Sequence, residues 1–345
     1  MEALTARAVW FVAPRQVELR EELVPPPGPG QVRIAAIASA ISHGTELLVY
    51  RGEVDPALEL DLPTLVGSFA FPIKYGYASV GQVLDVGASV TGLAPGDLVF
   101  VLHPHQSLYN ACAELVVPLP QGLTPAQGLF FANAETALTI AHDAAPRLGE
   151  SVVVFGQGVV GLLAAQMLRL AGAARVIAVD MNPRRRAQAL ALGVDAALAP
   201  GPELPEELRA INGGRLADLA VEVSGAPAAL QAAIGCVLDE GSVLVASWYG
   251  RKPVTLDLGT RFHRGRIRLR STQVGRLAPE TWPRWDHRRR RESVAALLPR
   301  LRLDELVSHS LPVERADEAY RLAELGAALQ VVLTYREKET LLCTS

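Results

Sequence analysis

The sequence predicts an α/β protein in which a doubly wound parallel sheet sits inside a second, mostly β domain. Three observations carry this expectation. Residues 1 to about 132 read as short strands set off by Gly and Pro, residues 150 to about 270 alternate strands with helices, and a glycine-rich loop stands where the alternation begins. Closely spaced strands with turn residues between them argue for a small, mostly antiparallel barrel or sandwich. Strand–helix alternation argues for a parallel sheet, because a parallel return needs a crossover.

In the first stretch the strands are RAVWFV, QVRIAAIA, YASVGQVLDVG, GDLVFVL and CAELVVPLP. In the second, SVVVFG is an apolar run suited to a buried parallel strand, and VGLLAAQMLRLAG follows as a helix closed by Gly172. RVIAVD, the helix PRRRAQALALG, DLAVEVSG, the helix PAALQAAIGCVL and SVLVASWYG continue the alternation. The last stretch holds a basic helix near DHRRRRESVAALLPRL, a helix near VERADEAYRLAELG and a closing strand LQVVLTY. The arginine run RWDHRRRRE reads as a solvated helix face. Residues 133–271 are therefore expected to form the sheet domain, with 1–132 and 272–345 joining as the other.

At 345 residues each domain is large enough to bury a core, and 50% hydrophobic with 20% charged residues is a globular balance. A net charge of −3 gives no general attraction to nucleic acid or to an anionic membrane. The chain has no run of 18 uncharged apolar residues, and MEALTARAVWFVAPR lacks a signal-peptide pattern, so a cytoplasmic location is expected. Cys112, Cys236 and Cys343 are scattered, which suits neither a disulfide framework nor a paired-cysteine zinc site.

The loop Gly156-Gln157-Gly158-Val159-Val160-Gly161 follows a strand and opens a helix. Its glycines suit a tight turn, close backbone approach to a pyrophosphate, and close helix–strand packing, with the helix amides facing the phosphates. The next strand ends in Asp180, 19 residues after Gly161, where an acid can bind both hydroxyls of an adenosine ribose. That carboxylate would repel a 2′-phosphate, which favours NAD over NADP. Arg184, Arg185 and Arg186 follow closely and could neutralise such a phosphate, or form a solvated face with one arginine, Arg185, over the adenosine.

With its β-rich first domain, this loop and the stretch ISHGTELLVYRG, the sequence resembles the medium-chain dehydrogenase/reductase superfamily, the fold of the zinc alcohol dehydrogenases. GYASVGQVLDVGASV followed by GLAPGDLVF is similar to that family's GHE-x-x-G-x-V…VG…GD-x-V segment. ISHGTELLVYRG and EVSGAPAALQAAI are most similar to a zinc-less subgroup that includes bacteriochlorophyllide dehydrogenase and threonine-dehydrogenase-like sequences. The resemblance implies a Rossmann domain inserted in a GroES-like catalytic domain, and a homodimer. It aligns the family's metal-binding Cys with His43, the His and Glu of GHE with Tyr77 and Ala78, and the third ligand with Ala132. The four-cysteine lobe of many relatives is replaced by VLHPHQSLYNACAELVV. Catalytic zinc needs three N, S or O ligands, so no zinc is expected.

Without a Lewis acid, the developing alkoxide needs a proton or hydrogen-bond donor. Tyr77 or His43 is expected as acid/base, Thr45 as relay, and His103 as a pocket residue donating a hydrogen bond to the substrate. A replacement metal on His43, His103 and His105 is disfavoured, because neither HPHQ histidine has a carboxylate nearby in sequence. The resemblance also implies cofactor contacts from Ser224 in Val223-Ser224-Gly225, from Ser247 in Ala246-Ser247-Trp248, and from Gln330 in place of a pyrophosphate-binding arginine. Glu135 and Thr136 would help seat the nicotinamide, or Asn133 and Glu135 would cap the following helix. The expected function is a zinc-independent NAD(P)-dependent oxidoreductase interconverting a secondary alcohol and a ketone of a small molecule. A C=C reductase of the quinone or enoyl type, a redox-neutral enzyme with bound NAD, and a non-catalytic nucleotide binder stay open.

Overall fold

A computed structural model describes residues 2–60, 62, 64–65, 67–326 and 328–335. Two compact units emerge: the residues before Asn133 together with those after Val294, and Asn133–Val294.

The first unit begins with β1 (Leu4–Ala13), β2 (Gln16–Val24), β3 (Gln31–Ile41), α1 (Thr45–Arg51), β4 (Ser79–Val86), β5 (Leu98–Val101), β6 (Leu108–Cys112), β7 (Val117–Pro118) and α2 (Pro125–Gly128). The bridging helix α3 (Phe131–Ala144) leads into the second unit. There follow β8 (Ser151–Phe155), α4 (Val159–Leu170), β9 (Arg175–Val179), α5 (Pro183–Ala191), β10 (Ala196–Leu198), α6 (Leu204–Ile211), β11 (Ala217–Glu222), α7 (Pro227–Gly235), β12 (Val237–Val245), β13 (Arg268–Ser271) and α8 (His287–Leu297). β14 (His309–Pro312), α9 (Ala316–Glu324) and β15 (Val331–Thr334) return to the first unit.

Among the described residues, the first unit holds a β1–β2 ribbon and a seven-stranded sheet ordered β14-β15-β3-β4-β5-β7, with β6 also pairing β3. All its pairs are antiparallel except β14 with β15. β3 is buried along nearly its whole length because it carries partners on both sides. Phe11, Ile41, Leu47, Tyr50, Tyr320 and Val331 pack together in one buried cluster of this unit, and each such large apolar side chain contributes roughly 1.5–3 kcal/mol on burial.

The second unit is a six-stranded parallel sheet ordered β10-β9-β8-β11-β12-β13. All five residues of β8 are buried, as expected for a central strand covered on both faces. α5 starts where Asn182 caps the Arg184 amide and Pro183 fills the first helical position. The sheet order changes direction at β8, placing the Gly156–Gly161 loop and the β11–α7 turn beside each other at the strands' C-terminal ends.

Several elements depart from the expectations. CAELVVPLP is broken by a 3₁₀ turn at Ala113–Leu115, and PAALQAAIGCVL divides into α7 and the start of β12. β2 is largely exposed and highly charged, and its alternation of Val17, Leu19 and Leu23 is broken by Glu21, so it was not picked out as a strand. The expected limit at 271/272 moves to 294/295, because β13 joins the parallel sheet and Arg290 of α8 is tied to Glu135 of α3. Cys343 lies outside the described residues.

Candidate active site

The turn after β3 carries Ser42, His43 and Gly44 and opens α1 at Thr45. Gly44 has no side chain to cap α1, and the buried Glu46 accepts the Ser42 N–H at 3.0 Å instead. Tyr77 stands in the loop before β4 with its ring against the apolar core. Its hydroxyl donates to Ser42 Oγ and also hydrogen-bonds Thr45. Burial pushes the phenol up to about 12; the Ser42 bond opposes the rise, the Glu46 charge adds to it, and the Thr45 bond opposes it. Ser42, Thr45 and Tyr77 thus form one cluster, with His43 in the same turn.

His103 is stacked on Tyr109 with ring centroids 3.6 Å apart and planes 9° from parallel. Its Nδ1 is 2.9 Å from the Pro104 carbonyl, which accepts only, so Nδ1 carries the proton. Burial pushes its pKa down to about 3, so the ring is neutral and Nε2 can only accept. The expected donor role is therefore corrected: His103 offers an acceptor.

Sequence reading passed over His105, which is fully buried and does have a carboxylate partner. Its Nε2 lies 2.7 Å from Glu46 Oε1, and its Nδ1 lies 2.6 Å from Ser39 Oγ. Tyr320 donates to the same Glu46 oxygen, and Tyr335 Oη lies 2.8 Å from Ser39 Oγ. The pair is 59 residues apart in sequence, beyond any local spacing signal.

In the second unit, Gly158 opens α4 without a side-chain cap, and nothing lies within 4 Å of where its Cβ would stand. The backbone amides at Val159, Val160 and Gly161 are then available to an anion. Gly161 cannot be larger: a Cβ there would lie 1.9 Å from the Gly156 carbonyl oxygen. Asp180 Oδ2 accepts the Gln157 N–H and Oδ1 accepts the Asn182 N–H, both at 2.7 Å, which leaves acceptor capacity on both oxygens for a diol. Arg186 donates to the carbonyls of Asp180 and Met181, while Arg184 is exposed and Arg185 partly exposed on α5.

Ser224 and Ser247 meet at the β11–α7 turn. The Gly225 N–H donates to Ser247 Oγ at 2.8 Å, and the buried Glu222 accepts from Ser224 N, Ser224 Oγ and Tyr249 Oη. Sequence reading missed Glu222 and Tyr249, which shape this turn. Asn133, Glu135 and Thr136 lie inside α3, so neither Asn133 nor Glu135 caps it, and Glu135 is instead ion-paired with Arg290 at 3.3 Å. Gln330 is buried and donates to the carbonyls of Ile41 and Val331, so its amide N–H groups are engaged within the first unit.

Residues 159–288 match the family described as zinc-binding dehydrogenase. The L-threonine 3-dehydrogenase of Pyrococcus horikoshii is 28% identical over 91% of this chain and 94% of its own length. The D-guloside 3-dehydrogenase of Escherichia coli is 26% identical over 84% of this chain and 88% of its own. The alcohol dehydrogenase of Thermus sp. ATN1 superposes with a TM-score of 0.74 at 25% identity, covering 96% of this chain and all of that one. The family match and these relatives support a place in the medium-chain dehydrogenase/reductase superfamily. At the positions that the sequence resemblance aligns with the family's zinc ligands, the chain has His43, a hydrogen-bonded phenol at Tyr77, and the methyl group of Ala132. One ready ligand out of three does not fit a catalytic zinc. Among the described residues, no group of three His, Cys, Asp or Glu converges to hold a metal.

Proposed function

We propose that this protein is an NAD(P)-dependent oxidoreductase that interconverts a secondary alcohol and a ketone without catalytic zinc, and that it prefers NAD(H). The observation that carries this reading is the Tyr77 hydroxyl, held by Ser42 and Thr45 at a position where zinc relatives have a metal ligand. The relatives named above are dehydrogenases of hydroxylated small molecules, which supports an alcohol substrate. The pyrophosphate is assigned to Gly156, Gly158 and the amides of Val159, Val160 and Gly161. The adenosine ribose is assigned to Asp180 with Arg185 over the base, and the nicotinamide end to Thr136, Ser224 and Ser247. When bound, the dinucleotide supplies or takes up the hydride.

The chain's own part is proton management. A phenol pushed to about 12 keeps its proton at neutral pH yet remains more acidic than an alkanol, so it can donate to a carbonyl oxygen that is becoming an alkoxide. Thr45 relays the proton towards solvent and His43 exchanges it. His103 accepts a hydrogen bond from a substrate hydroxyl.

Purified protein is assayed against ketones, secondary alcohols and enones with NADH, NADPH and their oxidised forms, alongside elemental analysis. The expected result is ketone–alcohol turnover that survives a chelator, with no stoichiometric zinc. Tyr77→Phe is expected to lower kcat by roughly 10²–10⁴-fold with dinucleotide affinity unchanged, and His43→Ala by less. About one zinc per chain, with activity lost to chelator, overturns the zinc-free reading.

A further inference from the structure

We propose that His105 and Glu46 are positioning residues for the Tyr77 hydroxyl, acting through Ser42; this rests on the reading of Tyr77 as proton donor. The two side chains are wholly buried, where an ionisable pair is usually no more stabilising than apolar residues of the same volume. Their presence in the core calls for what they hold, and Glu46 accepts the Ser42 N–H of the turn that carries the acceptor of the Tyr77 hydroxyl.

The hydrogen bonds fit one directional scheme. A carboxylate accepts only, so Glu46 Oε1 receives the His105 Nε2–H and the Tyr320 hydroxyl, while Oε2 receives the Ser42 N–H. His105 Nδ1 then accepts from Ser39, whose oxygen accepts from Tyr335. Ser42 is thereby fixed through its backbone, and its Oγ is the acceptor of the Tyr77 hydroxyl. A shift of Glu46 would carry Ser42 with it and re-aim the phenol.

A second path runs through Gly76, the residue before Tyr77. Its φ is +135°, and a Cβ there would lie 2.7 Å from both Cδ2 and Nε2 of His105. The imidazole therefore packs against the backbone that presents Tyr77. Both the hydroxyl's acceptor and the main chain carrying the ring rest on the same histidine.

The test follows Tyr77 directly in full-length protein labelled with ¹³Cζ-tyrosine. The chain has seven tyrosines, so the Tyr77 resonance is assigned by its loss in Tyr77→Phe. It is expected to shift in Glu46→Gln and His105→Phe. It is expected to stay in place in Tyr50→Phe, whose hydroxyl in the same core faces the Arg15 carbonyl. With a substrate in hand, kcat is expected to fall about 10²-fold in the two network variants, as for a slight misplacement, while KM and NADH affinity stay near wild type. An unmoved Tyr77 resonance in the folded variants overturns the proposal, as does an equal shift in Tyr50→Phe. A shifted resonance with full turnover supports the positioning role and instead removes Tyr77 from the chemistry. Should Glu46→Gln not fold, Tyr320→Phe deletes one hydroxyl from the same carboxylate and is read the same way.

Discussion

Two histidines separated by a single proline meet opposite environments here. His105 is held between a carboxylate and a hydroxyl, whereas His103 is stacked on Tyr109 with its Nδ1–H spent on a carbonyl. The second environment gives a pH dependence whose sign is definite. His103 is lowered from 6.5 to about 3 in the folded chain, so between those values the unfolded chain binds more protons and stability rises with pH. The contribution is complete above the unfolded value and is lost as pH falls through that window. His103→Phe keeps the stacking and removes the titration. Urea midpoints measured across pH 3 to 6.5 are expected to fall less steeply with acid in this variant. Parallel slopes would assign the acid sensitivity to other groups. HPHQ was legible as a pair of candidate residues, but the partners of His105 come from β3, α1 and α9, and no local pattern connects those segments.

At the scale of elements, the basic helix α8 shows how a periodic pattern can mislead. Its arginine run read as a solvated face, and Arg288 fits that description with an 87% exposed side chain. Arg290 does not. It is buried against Glu135 and Thr139 of α3 and donates to the Val274 carbonyl, while Arg289 lies over the Trp285 ring. Replacing Arg290 by Met leaves Glu135 buried without its cation, and breaking a buried pair in this way costs about 3–5 kcal/mol. Urea unfolding is expected to show a loss of that order, part of it recovered in Arg290→Met with Glu135→Gln. Arg288→Ala is expected to leave the midpoint in place. A near-neutral Arg290→Met would mean that α8 is held by its apolar face alone. The same limit hid β2, whose alternation is broken by Glu21 amid charged residues, whereas β8 and α4 were legible because burial on both faces leaves a continuous apolar run.

For the whole molecule, the testable property is the response to dinucleotide. A ligand at free concentration L that binds only the folded state stabilises it by RT ln(1 + L/Kd), about 2.7 kcal/mol at one hundred times Kd. Asp180 faces the site with two carboxylate oxygens and its own backbone amide partners, so NADH is expected to raise Tm more than NADPH at equal concentration. Asp180→Gly is expected to narrow or reverse the difference. A larger shift with NADPH in the wild type would show that the arginines of α5 outweigh the carboxylate. The alternating strands and helices, the glycine loop and Asp180 were determined by sequence alone, because each depends on residues within one β-α-β unit. What only the tertiary structure decided were the Glu46–His105 pair, the acceptor character of His103, the role of Glu222 and the engagement of Gln330. The Glu46–His105 pair and the Gln330 bond to Ile41 join residues 59 and 289 apart, while His103 and Glu222 find close neighbours whose pairing only burial and loop geometry select. Burial makes such pairing obligatory without writing it into any local spacing.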